Sequence, residues 1–288
     1  MSAPLPVWIL RVLLLPLPFT TGAALGDLMS THSGPVRWCV LVMAWVAWGI
    51  TIAASMVPHP ITLTTLRLGA PFLGVGAAGV AIHEQGALGL AGAAIALAAV
   101  AAALSAAVAD ACIDGRSYGD ERRFTLRIPA SLLFGPAPLA WLLTAIGVVA
   151  GPLLLSAKAW IVGAVVTVAG YAIAWLAVRS LHSLSLRFVV FVPAGMTLVD
   201  PLILVESILF ARSRIIRLGP ALADTTALDL SQNAVGLVLE VETTDLVEMA
   251  VKDGRKSASE VTTRAALFTP SRPGAVLAEA SRRRISVA

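Results

Sequence analysis

Charge is scarce in this chain. Only 13% of its 288 residues are Asp, Glu, Lys or Arg, against about 25% in soluble domains. Lysine is nearly missing, with Lys158, Lys252 and Lys256 alone, so arginine carries the basic charge. That bias, with the load of Ala, Val, Leu and Gly, points to a GC-rich bacterial genome. Cysteine is limited to Cys39 and Cys112. No CxxC or Cys/His cluster exists, which argues against a structural zinc site. The sequence holds no phosphate-cradling P-loop and no GxSxG elbow. It has no basic tract suited to nucleic acid: residues 179–288 mix 13 Lys/Arg with 11 Asp/Glu. No cofactor is implied.

What the chain has is apolar sequence. It is 58% hydrophobic, with a mean hydropathy of +0.86. A membrane span needs about 20 mostly apolar residues. Six stretches qualify, near 7–26, 37–57, 64–83, 87–109, 131–150 and 154–178. The first contains Arg11, able to snorkel to the interface, and Pro16 and Pro18. A signal peptide is its competing reading. Short-loop arginines set orientation. Arg67, Arg116, Arg122, Arg123, Arg127, Arg179 and Arg187 fall on one side of a six-span layout, and only Arg37 and Lys158 on the other. This predicts a multi-pass protein of a bacterial inner membrane with both termini cytoplasmic. Cys39 and Cys112 then lie at opposite faces and do not pair. The third and fourth spans are rich in Gly and Ala. Small residues let helices approach closely, within the chain or toward a partner or second copy.

Residues 183–210, "SLSLRFVVFVPAGMTLVDPLILVESILF", are long enough to cross once more. Asp200 and Glu206 argue against it, since a central Asp costs about 2.5–3.5 kcal/mol. "RFVVFV", "PAG" and "MTLVD" read instead as a hairpin turning at Gly195. "LILVESILF", "SRIIRL", "AVGLVLEVET" and "VTTRAALFT" are further strand-like pieces. "PSRPGAVLAEASRRR" then reads as a helix capped by Ser271, with Pro273 in its first turn and arginines at its end. The expected fold is an α-helical polytopic membrane domain of about six transmembrane helices, residues 1–180. A small antiparallel β domain with a C-terminal helix follows, residues 181–288.

Short strands followed by one helix, with "LFTPSRPGAVLAEA" and "RFVVFVPAGMTLVD" as the most similar pieces, resemble the pleckstrin-homology-like domains of bacterial membrane proteins. In this setting the chain is similar to actinobacterial polytopic integral membrane proteins. The resemblance covers about the last third. It implies interaction or scaffolding more often than catalysis, and it carries over no catalytic residues.

Candidate chemistry is sparse. Asp27, His32, His59, His83 and Glu84 fall in loops or at span ends. "DACIDG" places Asp110 and Asp114 four apart, a spacing that can share a helix face and hold a divalent cation. The sequence after it lacks the further aspartates of a metal-dependent membrane transferase. Two basic clusters can meet lipid headgroups: Arg116, Arg122, Arg123 and Arg127 in the loop, and Arg282, Arg283 and Arg284 at the end. A juxtamembrane Lys or Arg contributes about 1 kcal/mol of attraction to anionic lipid. The leading expectation is a non-enzymatic interaction or scaffold protein. A transporter or lipid-handling protein is the alternative, with Pro16, Pro18, Pro136 and Pro138 breaking the first and fifth spans around a cavity.

Overall fold

A computed structural model describes residues 4–254 and 257–288. In chain order, α1 is Leu5–Leu14, α2 Thr21–Leu28, α3 Gly34–Met56, α4 Pro60–Glu84, α5 Ala87–Leu104 and α6 Ala106–Asp114. Strand β1 (Arg122–Thr125) comes next, then α7 (Ala130–Leu133), α8 (Pro136–Ser156) and α9 (Trp160–Leu184). Strands β2 (Phe188–Val192), β3 (Gly195–Val199), β4 (Ile208–Ala211), β5 (Ile215–Pro220), β6 (Leu228–Asp229), β7 (Leu239–Lys252) and β8 (Ala258–Phe268) follow, and α10 (Pro273–Arg282) ends the series. The chain divides into two units. A helical unit holds the segment ending at Cys112 and Pro138–Leu181; a β unit holds Ile113–Ala137 and His182–Ala288.

Among the described residues, five helical stretches are long and apolar enough to cross a membrane: Gly34–Met56, Pro60–Glu84, Ala87–Leu104, Ala130–Ser156 and Trp160–Leu184. The expected first span is different. It is two short helices, α1 and α2, joined by turns over residues 15–20. Pro16 and Pro18 are the cause. Neither has an N–H for the helical ladder, and each ring crowds the carbonyl four residues back. The Leu14 carbonyl freed by Pro18 accepts the indole N–H of Trp48 at 2.8 Å. Arg11 is buried rather than extended to an interface. Its Nε and a terminal guanidinium nitrogen donate to the Ser55 carbonyl at 3.1 and 2.7 Å, filling an open acceptor at the end of α3.

Small residues pack these helices. A Cβ on Gly147 would strike the Gly170 backbone, so α8 and α9 meet main chain to main chain. In α4, Gly69 faces Thr51 and Gly74 faces Val100, whereas a Cβ on Gly76 or Gly79 would meet nothing within 4 Å. The first two serve packing inside the unit, and the last two leave open surface.

The β unit contains two four-stranded sheets, ordered β1-β2-β3-β4 and β5-β7-β8-β6. Residues 188–210 form strands and not a span. The expected hairpin is present as β2 and β3, with Val192 opposite Gly195. Gly195 has φ +156° and opens β3, where a Cβ would run into the Phe210 carbonyl of β4. Strand β1 comes from the segment read as a charged loop: Phe124 pairs with Val189 and Arg122 with Phe191. Both sheets and α10 share one core around Phe191, Phe268, Met196, Leu218 and Val276. Phe124 meets Phe191 edge to face, ring centroids 6.0 Å apart. The helix α10 begins at Pro273 with Arg272 as its N-cap and no side-chain capping bond. The expected Ser271 cap is therefore not formed; the Ser271 N–H instead donates to the Thr125 carbonyl at 2.8 Å.

Candidate functional site

The two arginine clusters separate in sequence are joined in space. Arg283 donates to the Asp120 carbonyl and lies 3.8 Å from its carboxylate. Arg282 and Arg283 also bond Glu279, at 2.8 and 2.6 Å. Burial alone would raise the Glu279 carboxyl; the hydrogen bonds from Arg282 and Arg283 outweigh it and hold the group below its ordinary value. In the loop, Arg122 bonds Asp114 at 2.6 Å, and Arg123 bonds Glu121 at 2.8 Å while stacking over Phe188. Four of the seven predicted headgroup-binding arginines thus hold carboxylates of the same unit. No side-chain hydrogen bond or ion pair involves Arg116, Arg127 or Arg284 among the described residues, and all three are exposed.

Arg187 was missed as a site residue. It is 2% exposed, as is Asp200. Its guanidinium grips both Asp200 oxygens at 2.6–2.9 Å and donates to the Arg127 carbonyl at 2.7 Å. The arrangement ties the entry to β2, the exit from β3 and the end of β1 at one point. No single residue signals it. The only sequence cue is an arginine before a strand and an aspartate after its hairpin partner.

Asp110 and Asp114 have different surroundings. Asp110 is buried near Arg67 and Cys112 in the helical unit. Asp114 receives the Ser117 hydroxyl at 2.8 Å, Arg122, and the Arg123 N–H at 2.9 Å. Among the described residues no three His, Cys, Asp or Glu side chains are grouped to hold a metal. Burial pushes the Cys112 thiol up to about 11, so it is no ready nucleophile. His59 is structural: its Nδ1 accepts the Ile61 N–H at 3.1 Å, and the Thr62 hydroxyl receives the His59 N–H, a reciprocal cap on α4.

The helical unit also holds a cavity of about 400 Å³ between α3, α4, α8 and α9. Phe72, Trp141, Tyr171 and Pro152 line it beside Thr51 and Thr144. Thr51 and Thr144 donate to Ala47 and Ala140 of their own helices, at 2.7 and 2.8 Å. Trp141 donates to the Leu68 carbonyl at 3.2 Å. Apart from the Tyr171 hydroxyl, the polar hydrogens on these walls are already engaged, which leaves a mostly apolar interior suited to an alkyl or isoprenoid chain. The prolines expected to open a cavity do not line it. Pro136 opens α8 rather than breaking it, and Pro152 is the proline within that helix.

Comparison with known proteins gives no family: no family model, no curated protein and no solved structure matches the chain.

Proposed function

We propose that this is a non-enzymatic protein of a bacterial cell membrane whose helical unit holds the β unit at the bilayer as an interaction or scaffold module. The observation that carries this is the path of the chain. It passes between the units three times, after Cys112, Ala137 and Leu181, and the segment between the first two passes supplies β1, the edge strand of a sheet. A detachable domain needs one linker. Three attachments, rather than one linker, tether the module to the membrane.

The finer layout belongs to the same proposal. Six crossings follow if α1 and α2 form one kinked span. Residues 5–28 cover about 36 Å at helical rise, and they run antiparallel to α3: Arg11 meets Ser55, Leu14 meets Trp48, and Leu25 shares a small cleft with Leu41. Arginine placement puts both termini in the cytoplasm. The strands, the C-terminal helix and their shared core support a pleckstrin-homology-like reading of the β unit. A reporter fused after Arg187 is expected to be cytoplasmic, and a cysteine at Ala157 to react with an impermeant reagent from outside. Opposite results overturn the orientation.

The scaffold reading is tested with photo-reactive residues at Ile216 and Leu246, apolar side chains about half exposed on the β unit. One protein crosslinked in stoichiometric amount supports it. Absence of any protein adduct from both positions in living cells counts against it. The cavity favours a second reading, lipid handling. Mass spectrometry of protein extracted in native lipid particles is expected to find one enriched apolar-chain molecule, lost when Ala145→Phe fills the cavity.

A further inference from the structure

We infer that the β unit carries a dedicated membrane-docking edge, formed by Leu222, Val235 and Leu237 around Arg127, whose occupant is the lipid leaflet where the neighbouring span enters. The argument begins with exposure. Leu222, Val235 and Leu237 are each half or more exposed, apart from the buried core of this unit. They are also neighbours. Pro220 pairs with Leu239, and the Ala221 N–H donates to the Val238 carbonyl at 3.0 Å. The antiparallel path therefore brings Leu222 opposite Leu237.

Arg127 locates this edge. Gly236, between Val235 and Leu237, has φ +145°, and a Cβ there would come within 2.8 Å of Arg127 Nε and 3.1 Å of its Cζ. The arginine side chain therefore lies against the bare Gly236 backbone, at the point in the chain that joins Val235 to Leu237. It makes no side-chain hydrogen bond or ion pair among the described residues, unlike Arg122, Arg123, Arg282 and Arg283. Three residues later begins Ala130–Ser156, a stretch apolar enough to cross a membrane. Residues 127–130 span at most about 11 Å, so the Arg127 backbone lies within headgroup reach of the start of that stretch. Leu133 and Phe134, near the start of that stretch, are exposed as well.

The chemistry fits one occupant. Three aliphatic side chains reach the acyl boundary, and an unpaired guanidinium among them receives a lipid phosphate. A soluble protein partner would need neither the adjacent span nor an arginine at that depth. Asp224 lies on the same loop, so apolar insertion and the single arginine drive docking rather than net charge. The inference rests on the membrane reading of the helical unit.

The test uses the full chain, with Cys39→Ala and Cys112→Ala, in nanodiscs of phosphatidylethanolamine and phosphatidylglycerol. Single nitroxide labels go at Leu222, Leu237, Leu246 and Val165. Oxygen is expected to relax labels at 222 and 237 several-fold more than a water-soluble nickel chelate, as at Val165 in α9; the order reverses at Leu246. Labels at 222 and 237 that favour the chelate, or resist both reagents as under a protein, overturn the inference while Val165 still reports lipid. A water-exposed Val165 overturns the membrane reading as well. Arg127→Gln is expected to lower the oxygen preference at 237 in these discs and leave it unchanged in phosphatidylcholine discs. Equal loss in both removes the phosphate contact from the proposal.

Discussion

Arg187 and Asp200 decide much at the residue scale. Both are almost wholly removed from water, and each charge is satisfied by the other in a bidentate pair. A buried pair adds little net stability over a well-packed apolar replacement, but removing one member leaves an uncompensated charge and costs about 3–5 kcal/mol. Arg187→Met is therefore expected to loosen β1, β2 and β3 together, because the Arg127 carbonyl loses its donor as well. Hydrogen exchange should show the lost protection concentrated in those strands, with the transmembrane helices unchanged. The double variant Arg187→Met, Asp200→Leu should recover most of it. If the double variant is as damaged as the single one, the pair is not what organises the sheet. Neither residue stood out in the sequence, where Arg187 reads as a topology signal and Asp200 as an obstacle to a span. Their partnership needs the hairpin to close first, so it belongs to the fold rather than to any local pattern.

At the scale of elements, the long apolar runs were legible because a span is written in composition: five of the six expected stretches contain helical segments long and apolar enough to cross a membrane, although a break at Ser105 ends one early and a turn at Phe134–Gly135 divides another. The first was legible only as a hydrophobic segment. Its break at Pro16 and Pro18 follows from backbone chemistry, but the repair does not, since the donor is Trp48 on another helix. That repair can be measured. Within a membrane a freed carbonyl is satisfied by a neighbouring side chain, and such interhelical bonds contribute about 1 kcal/mol. Trp48→Phe is expected to destabilise the helical unit by about that amount beyond its lost packing. In a Pro18→Ala background, where residue 18 can donate to Leu14 again, the same change should cost less. A double-mutant cycle in detergent unfolding reads the difference as a coupling energy of about 1 kcal/mol. No coupling would mean that the indole bond does not compensate for the proline. Strand β1 marks the opposite limit of legibility. Its four residues, "RRFT", are half arginine, and its partner β2 lies more than sixty residues away. Nothing local separates such a strand from a charged loop.

For the whole molecule, that short strand changes what counts as a domain. The last third of the sequence looks self-sufficient, with strands, a hairpin and a closing helix. The structure draws its first sheet edge from the segment between α6 and α7, which brings Phe124 and Leu126 into the shared core. A fragment beginning at His182 would leave β2 as an open edge and a cavity where Phe124 packs on Phe191. An unpaired apolar edge of this kind promotes aggregation, and loss of a buried Phe side chain alone costs about 3–5 kcal/mol, a large share of a small domain's stability. The isolated fragment 182–288 is therefore expected to be aggregated or loosely packed, with little near-ultraviolet circular dichroism. Joining residues 117–128 to its front through a flexible linker should restore a cooperative melting transition. Replacing Phe124 with Ala in that fusion should abolish the gain. If the bare fragment melts as cooperatively as the fusion, β1 is an accessory, and the β unit is joined to the membrane by a single essential connection instead of being built through it.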